Sequence, residues 1–565
     1  ISPDESEAVL GSAFFDVSFP KSDFGDYATN AAMVLFKKFN TAPASNPMEY
    51  AQNLSAKLIE LDHKKSFSKI EPAGGFINFT LSKDYLVHEL DIVLSKKDDY
   101  GKTDSSNGDK ILLEYFQPNV AKPLHLGHLE NGVLGDSLFR ILQFAGYNVE
   151  SDTHLGDWGT QFGFLLLAFK MWGDMPVVEK DPIVELNKLY VRINAEIESA
   201  PELREQGKQE FLKLEKGDLE NEQLWTKFKE WSWTEFEIMY SDVGIRKADH
   251  NWSESFYVDK MPAVISVLKE KDLLKESQGA RIVDLESYNM GVAVIIKSDG
   301  GTTYLLRDLA TYIFRKNEGF DRQLYVVDER QSHTLAQTFK ILELMGEIEN
   351  SSEVRHISYG FMTLPGGAMS TRKGTIVGAK ELLEDACSRA KEIIEEKNPE
   401  LKDKASVSKM VANAAVKYFI LSRNLKGDFV FDRDAALSFE GNTGPYLQYA
   451  YVRTNGIWKK YSHDSGDYDP LKALEDSNEQ DIKVLRKIQQ FPEIVNTVAR
   501  DFAQNLLANY LYELAKDFNA FYEVNPVIEA SSKELRSLRM QIAQGTAQVL
   551  KNGLGLLGIE APEEM

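Results

Sequence analysis

The chain has 565 residues, 43% of them hydrophobic and 27% charged, which are the values of a folded, multi-domain protein and exclude wholesale disorder. Its net charge of −22 argues against broad, non-specific binding of nucleic acid, so any such partner has to be met by local basic and aromatic patches. The single cysteine, Cys387, excludes an internal disulfide framework and fits a reducing compartment, with the cytoplasm expected.

The chain begins Ile1-Ser2-Pro3-Asp4, without an initiator Met or a basic-then-apolar leader. No signal peptide is expected, and some leading residues are expected to be missing from this numbering. Residues 1–100 mix helical stretches, Tyr27 to Phe39 and Pro47 to Leu61, with an alternating run, Gly75 to Leu81, that reads as a strand. This predicts a small α+β domain. The polar stretch Lys96 to Lys110 reads as a linker. It is followed by an apolar strand over 111–116, a loop from Gln117 to Leu124, a helix from about Leu126 to Ala145, and a second strand near Asn148 to Thr153. Strand, loop, helix and strand in that order predict a βαβ unit in a parallel, right-handed, Rossmann-type sheet.

From about 162 to 240 the pattern is helical and highly charged. Its longest apolar stretch, Phe162 to Phe169, falls far short of the roughly 20 residues that span a bilayer, so no transmembrane helix is expected. Trp225, Phe228, Trp231 and Phe236 lie there at helical spacing and read as core packing rather than as a base-stacking platform. Apolar runs at 280–284 and 291–296, a helix over Thr302 to Lys316 and a strand over Gln323 to Val327 are read as the second half of the nucleotide fold. From about Lys380 helical periodicity runs to the end, broken by an acidic segment, His463 to Asp481, read as a solvated loop. The fold class is therefore α/β, with three domains: 1–100; a catalytic domain over 101–380 carrying a helical insertion at about 162–280; and an all-helical domain over 381–565.

Within the βαβ unit, His125-Leu126-Gly127-His128 stands where the loop enters the helix. Two imidazoles at a helix N-terminus can donate hydrogen bonds to a phosphate that the unpaired N–H groups and the dipole already favour. Gly127 lets a base or ribose approach the backbone. Alone, such a pair is as often incidental; its place after a strand favours the phosphate reading. Downstream, Gly366 to Gly374 joins a glycine pair to Arg372 and Lys373, a basic loop suited to closing over a triphosphate.

Glu114 to Pro123 running into the histidine motif, His154 to Gly163, Tyr304 to Asp308, Tyr359 to Met362, Met369 to Gly374 and Leu437 to Ala450 together resemble the arginyl-tRNA synthetases, a family of class I aminoacyl-tRNA synthetases, across nearly the whole chain. The resemblance implies ATP-dependent activation of L-arginine to arginyl-adenylate and transfer to the 3′ end of tRNA-Arg. It also implies Mg2+ carried with ATP, and a monomer. No structural metal is expected. Selecting arginine over lysine physically requires carboxylates that can take a planar guanidinium fork. The resemblance implies Asp308 and Glu254 for that group, with Tyr304 alongside, and Glu114, Asn119 and Gln331 around the α-amino and carboxylate groups. For ATP it implies Pro123, His125, Gly127, His128, Gly156, Asp157, Phe361, Met362, Met369 and Ser370. Ala368 and Thr371 hold the positions of the class I signature lysines; the resemblance implies that a lysine just upstream of the histidine motif substitutes for them, which assigns Lys122 to phosphate charge, with Arg372 and Lys373 as helpers. For tRNA it implies Phe76 and Asn78 toward the D-loop, and Tyr446, Tyr449, Tyr522 and Met565 toward the anticodon. Stacking of unpaired bases on aromatics suits that role, and core packing is an equal reading for each tyrosine.

Overall fold

The computed structural model describes residues 16–20, 24–39, 44–106, 108–363, 378–461 and 470–565. They fall into two compact units, one formed by residues 1–100, 453–492 and 513–552, the other by 101–452, 493–512 and 553–565.

The first unit contains a four-stranded antiparallel sheet in the order Val17–Ser18, Tyr27–Thr29, Phe76–Leu81, Phe67–Ala73. Helices Ala31–Phe39 and Pro47–Leu61 close it over Ala32, Ala51, Ile70 and Ile77. Asn46 starts the second helix by accepting the Glu49 N–H, and Ser82 starts Lys83–Lys96 by accepting that of Tyr85. The expected helix from Tyr27 begins only at Ala31. Tyr27–Thr29 instead pairs with Phe79, Asn78 and Ile77, a long-range ladder that overrides local propensity. The same unit holds helices Pro470–Glu475 and Glu479–Gln489, so part of the segment expected to be a loop is helical. Asn478 and Asp481 form a reciprocal capping box there, which accounts for the polar residues. Residues 462–469 lie outside the described residues.

The second unit is built on a four-stranded parallel sheet ordered Val354–Tyr359, Arg322–Asp328, Lys110–Glu114, Asn148–Asp152. The chain winds outward in both directions from the central pair, and helix Leu126–Phe144 connects the last two strands named. The runs at 280–284 and 291–296 do not join this sheet. With Leu274–Ser277 they make a separate three-stranded antiparallel sheet. Gln278 and Gly279 have φ of 49° and 79°, the two-residue turn that matches the twist of a hairpin and forbids a parallel crossover. The strand expected over 323–327 is present as Arg322–Asp328, and its companion in the second half of the nucleotide fold is Val354–Tyr359, a strand the periodicity did not reveal.

Helices Thr160–Trp172, Pro182–Ser199, Glu202–Glu215 and Leu219–Val243 follow the βαβ unit. Phe228 is fully buried with Trp225 and Trp231 against it, and Phe236 is buried as well, so the aromatic stripe is core packing. Among the described residues no helix is long and apolar enough to cross a membrane.

Candidate active site

In a doubly wound sheet, ligands lie beyond the carboxyl ends of the strands where the winding reverses. Here that point falls between Lys110–Glu114 and Arg322–Asp328. A cavity of about 590 Å³ opens there, lined by Glu114, Asn119, His125, His128, Asp308 and Arg330 among others.

The loop leaving Glu114 is held tightly. Phe116 and Ala121 adopt left-handed φ of 57° and 62°, which a bulky aromatic takes only under constraint. The Phe116 N–H donates to the Asn131 carboxamide, and that amide donates to the Val326 carbonyl at 2.7 Å and to the Tyr359 hydroxyl at 3.0 Å. The Ala121 N–H donates to Ser232 Oγ at 2.8 Å. Asn119 and Gly156 form an isolated bridge, and a Cβ on Gly156 would stand 2.5 Å from Asn119 Oδ1. A side chain there would force the Asn119 carboxamide to move.

His125 caps the helix Leu126–Phe144. Its Nδ1 accepts the Gly127 N–H at 3.1 Å, while its own N–H donates to His128 Nδ1 at 3.3 Å. The two rings stack with centroids 3.7 Å apart and planes 16° from parallel. Because each Nδ1 accepts, the proton of each neutral ring resides on Nε2, which leaves two Nε2–H donors beside the helix N-terminus. Burial, reinforced by Arg330 and Lys122, pushes His125 down to about 4; burial, His125 and Lys122 hold His128 well below its ordinary value. Both rings are neutral donors at pH 7, not cations.

The opposite wall is acidic. Burial, with Glu114 nearby, pushes the Asp308 carboxyl up to about 7, against Arg307 and Arg315. Burial likewise raises Glu254 to about 7, although Arg307 Nη1 stands 2.7 Å from its Oε2. Asp308 therefore has the less compensated charge. Tyr304, 59% exposed, lines the same cavity one helical turn from Asp308. At the floor, fully buried Arg315 reaches Glu114 and Asp152 at 2.5 Å each. Burial would raise Glu114, but Arg315 and His154 outweigh it and hold the carboxyl below its ordinary value. Glu114, Asp152 and His154 bring ligand atoms within 4.8 Å of one another, a grouping of metal-ligand type, yet the Arg315 guanidinium already places a positive charge between the two carboxylates.

Glu114, Asn119, Glu254, Tyr304, Asp308, Gln331, His125, Gly127, His128, Gly156 and Phe361 all line the one cavity. Four other residues assigned to ATP or its phosphates are not brought into its wall. The Asp157 carboxylate is taken up by the Ser255 N–H at 2.8 Å, Ser255 Oγ at 2.7 Å and Lys229 at 2.6 Å. Met362 is fully buried and its N–H donates to Glu130 Oε2 at 3.0 Å. Lys122 Nζ lies 4.9 Å from the centre of the Tyr190 ring and 3.5 Å from Gln161 Oε1. Pro123 precedes the cap without lining the cavity. Met369, Ser370, Arg372 and Lys373 lie outside the described residues. Sequence reasoning missed Gln117, His154 and Arg330 as lining residues, although all three stand in or beside motifs it singled out.

In the first unit Phe76 is 41% exposed, and Asn78 lines a second cavity with Phe24, Lys69 and Arg486. Tyr449 is exposed, whereas Tyr446 packs on Tyr512 with centroids 5.6 Å apart. Tyr522 carries Arg453 over its ring at 4.7 Å. The Met565 carbonyl accepts from Asn398 at 3.1 Å.

Comparison with known families matches residues 89–433 to the class I (R) tRNA synthetase catalytic domain, 447–565 to the DALR anticodon-binding domain, and 9–81 to the arginyl-tRNA synthetase N-terminal domain. The chain is 40% identical over 548 residues to an arginine–tRNA ligase of Alkaliphilus metalliredigens, covering 97% of this chain and 94% of that one. It is 39% identical over 551 residues to the arginine–tRNA ligase of Clostridium acetobutylicum, covering 97% and 95%. The solved Thermus thermophilus arginyl-tRNA synthetase superposes with a TM-score of 0.85 at 27% identity, covering 99% of this chain and 98% of that one. The Plasmodium falciparum enzyme gives 0.80 at 26% identity, covering 100% and 97%.

Proposed function

Because the chain belongs to the arginyl-tRNA synthetases, and so activates arginine with ATP and charges tRNA with it, we propose that the cavity at the winding reversal holds both small substrates for the first of those steps. One observation carries this reading: a neutral histidine pair at a helix N-terminus faces two carboxyl groups of raised pKa within a single cavity. ATP brings Mg2+ with it as substrate. The arginine carboxylate oxygen attacks the α-phosphorus, the bond to the bridging oxygen breaks, and pyrophosphate departs with its electron pair. The terminal ribose hydroxyl of the tRNA then attacks the arginyl carbonyl and AMP leaves.

Neither step needs a protein nucleophile, so positioning and charge carry the rate. His125 and His128 donate through Nε2–H to phosphate oxygens, and Gly127, Gly156 and Phe361 shape the adenosine wall. Asp308 takes the guanidinium with Glu254, and Tyr304 covers it. Glu114, Asn119 and Gln331 orient the α-amino and carboxylate ends. Lys122 contributes phosphate charge; its influence on both imidazoles supports a place close to them. Arg372 and Lys373 assist, with Met369 and Ser370 of their loop at the nucleotide. Pro123, Asp157 and Met362 act by supporting the wall rather than by touching ATP. Phe76 and Asn78 meet the tRNA D-loop, while Tyr446, Tyr449, Tyr522 and Met565 serve the anticodon side. The enzyme works as a monomer in the cytoplasm, and arginine activation depends on bound tRNA.

The test is ATP–pyrophosphate exchange with each of the twenty amino acids, with and without tRNA. Arginine alone should support exchange, and only when tRNA is present. Equal exchange with lysine would overturn the pocket assignment, and exchange without tRNA would overturn the dependence.

A further inference from the structure

The cleft has an electrostatic deficit. ATP brings about four negative charges, yet Glu114, Glu254, Asp308 and Asp328 all line the cavity that is read as receiving it. The histidines lend hydrogen bonds without charge. Among the described residues, Arg330 is the one lysine or arginine in that lining.

Its guanidinium is fixed before any ligand arrives. Nε donates to Asp328 Oδ1 and Nη2 to Asp328 Oδ2, each at 2.7 Å, and the Arg330 backbone N–H adds a bond to Oδ1 at 2.8 Å. This two-point fork orients the group and, among the described residues, leaves Nη1 without a hydrogen bond. The charge sits 4.5 Å from the centre of the Phe361 ring. Phe361 in turn lies against Gly127, whose added Cβ would be 3.2 Å from Phe361 Cε2. Arg330, Phe361 and the histidine motif thus form one continuous stretch of wall. The side chain is also 71% exposed, so its charge is accessible.

From this juxtaposition we infer that Arg330 is a phosphate-contacting residue, held by Asp328 so that Nη1 meets the polyphosphate of ATP on the same wall as the histidine pair. The inference rests on the reading of this cavity as the ATP site. A guanidinium aligned once is not reorganised during the reaction, which is the condition under which a fixed cation favours charge developing on the departing pyrophosphate.

The experiment measures binding of adenosine, AMP and ATP to the full-length protein and to Arg330→Gln, with exchange kinetics alongside. Arg330→Gln should weaken ATP roughly tenfold or more, leave adenosine within about twofold, and raise the KM for ATP without raising that for arginine. Should the glutamine variant fail to fold, Arg330→Lys, which keeps a cation but not the fork, carries the same comparison. A loss that grows from adenosine through AMP to ATP supports the inference. A loss equal for all three would make Arg330 a surface for the base and overturn it, as would undiminished ATP affinity. If the wild-type protein binds neither adenosine nor ATP, it is the ATP reading of the cavity that fails.

Discussion

Arginine affinity should fall as the solution is acidified from pH 8 to pH 6, because Asp308 must be ionised to take the guanidinium. With its carboxyl raised to about 7, the group is about nine-tenths ionised at pH 8 and about one-tenth at pH 6, so affinity should drop about tenfold. Glu254 is also raised to about 7, and the drop approaches a hundredfold if its charge is needed as well. Arg307 already stands against Glu254, which favours the smaller figure. Asp308→Asn should cost about 3 kcal/mol, or more than a hundredfold in Kd, since it removes one partner of a partly buried charge-assisted pair. It should also remove the Asp308 share of the pH slope. Calorimetric titration with arginine at pH 6, 7 and 8, in two buffers of different ionisation enthalpy, counts the protons displaced. Near pH 7 the wild type should release about half a proton from Asp308, and the variant that much less. A flat wild-type profile, or an Asp308→Asn variant with the wild-type slope, would refute the reasoning.

Three further outcomes are expected. His128→Gln should lower the exchange rate about 100- to 1000-fold, and an exchange rate close to wild type would remove that ring from the phosphate site. Lys122→Ala should impair adenylate formation more severely than Lys373→Ala, and equal, mild effects in the exchange assay would remove Lys122 from the phosphate site. Glu130, buried beside the Met362 N–H, is raised to about 8, so the native state binds a proton that the unfolded state releases above about pH 4.5, and wild-type stability declines between those values. Glu130→Gln keeps an acceptor for that N–H and should stabilise by up to about 3 kcal/mol at pH 7, with a melting-temperature advantage that widens from pH 5 to pH 8; a constant gap would contradict the assignment.

The histidine motif, the strand before it and the helix after it were readable because a strand, a loop and a long helix each carry their own period and stop signal. Tyr304 and Asp308 were readable as one face for the same reason. The runs at 280–284 and 291–296 were misassigned because short apolar runs look alike in parallel and antiparallel sheets, and the deciding signal, the two-residue Gln278-Gly279 turn, lies just before the first of them. Val354–Tyr359 escaped notice because Arg355, His356 and Ser358 break its apolar character, although it is an edge strand with one covered neighbour. The satisfaction of Asp157 by Ser255 and Lys229, and the fork between Arg330 and Asp328, concern where side chains find partners. The first pairing spans about a hundred residues of chain, and the second depends on a rotamer; neither leaves a periodic trace.

The buried Arg315 ties neighbouring strands together at the floor of the cavity, and this limits how such a pocket could be remodelled for a different amino acid. A neutral analogue such as citrulline could be sought by altering Asp308 at the upper wall, where one carboxyl can be exchanged without orphaning another group. Glu114 offers no such freedom: neutralising it would leave the fully buried Arg315 only half compensated, by Asp152, so specificity has room to drift at Asp308 while the Glu114–Arg315–Asp152 group can change only in concert.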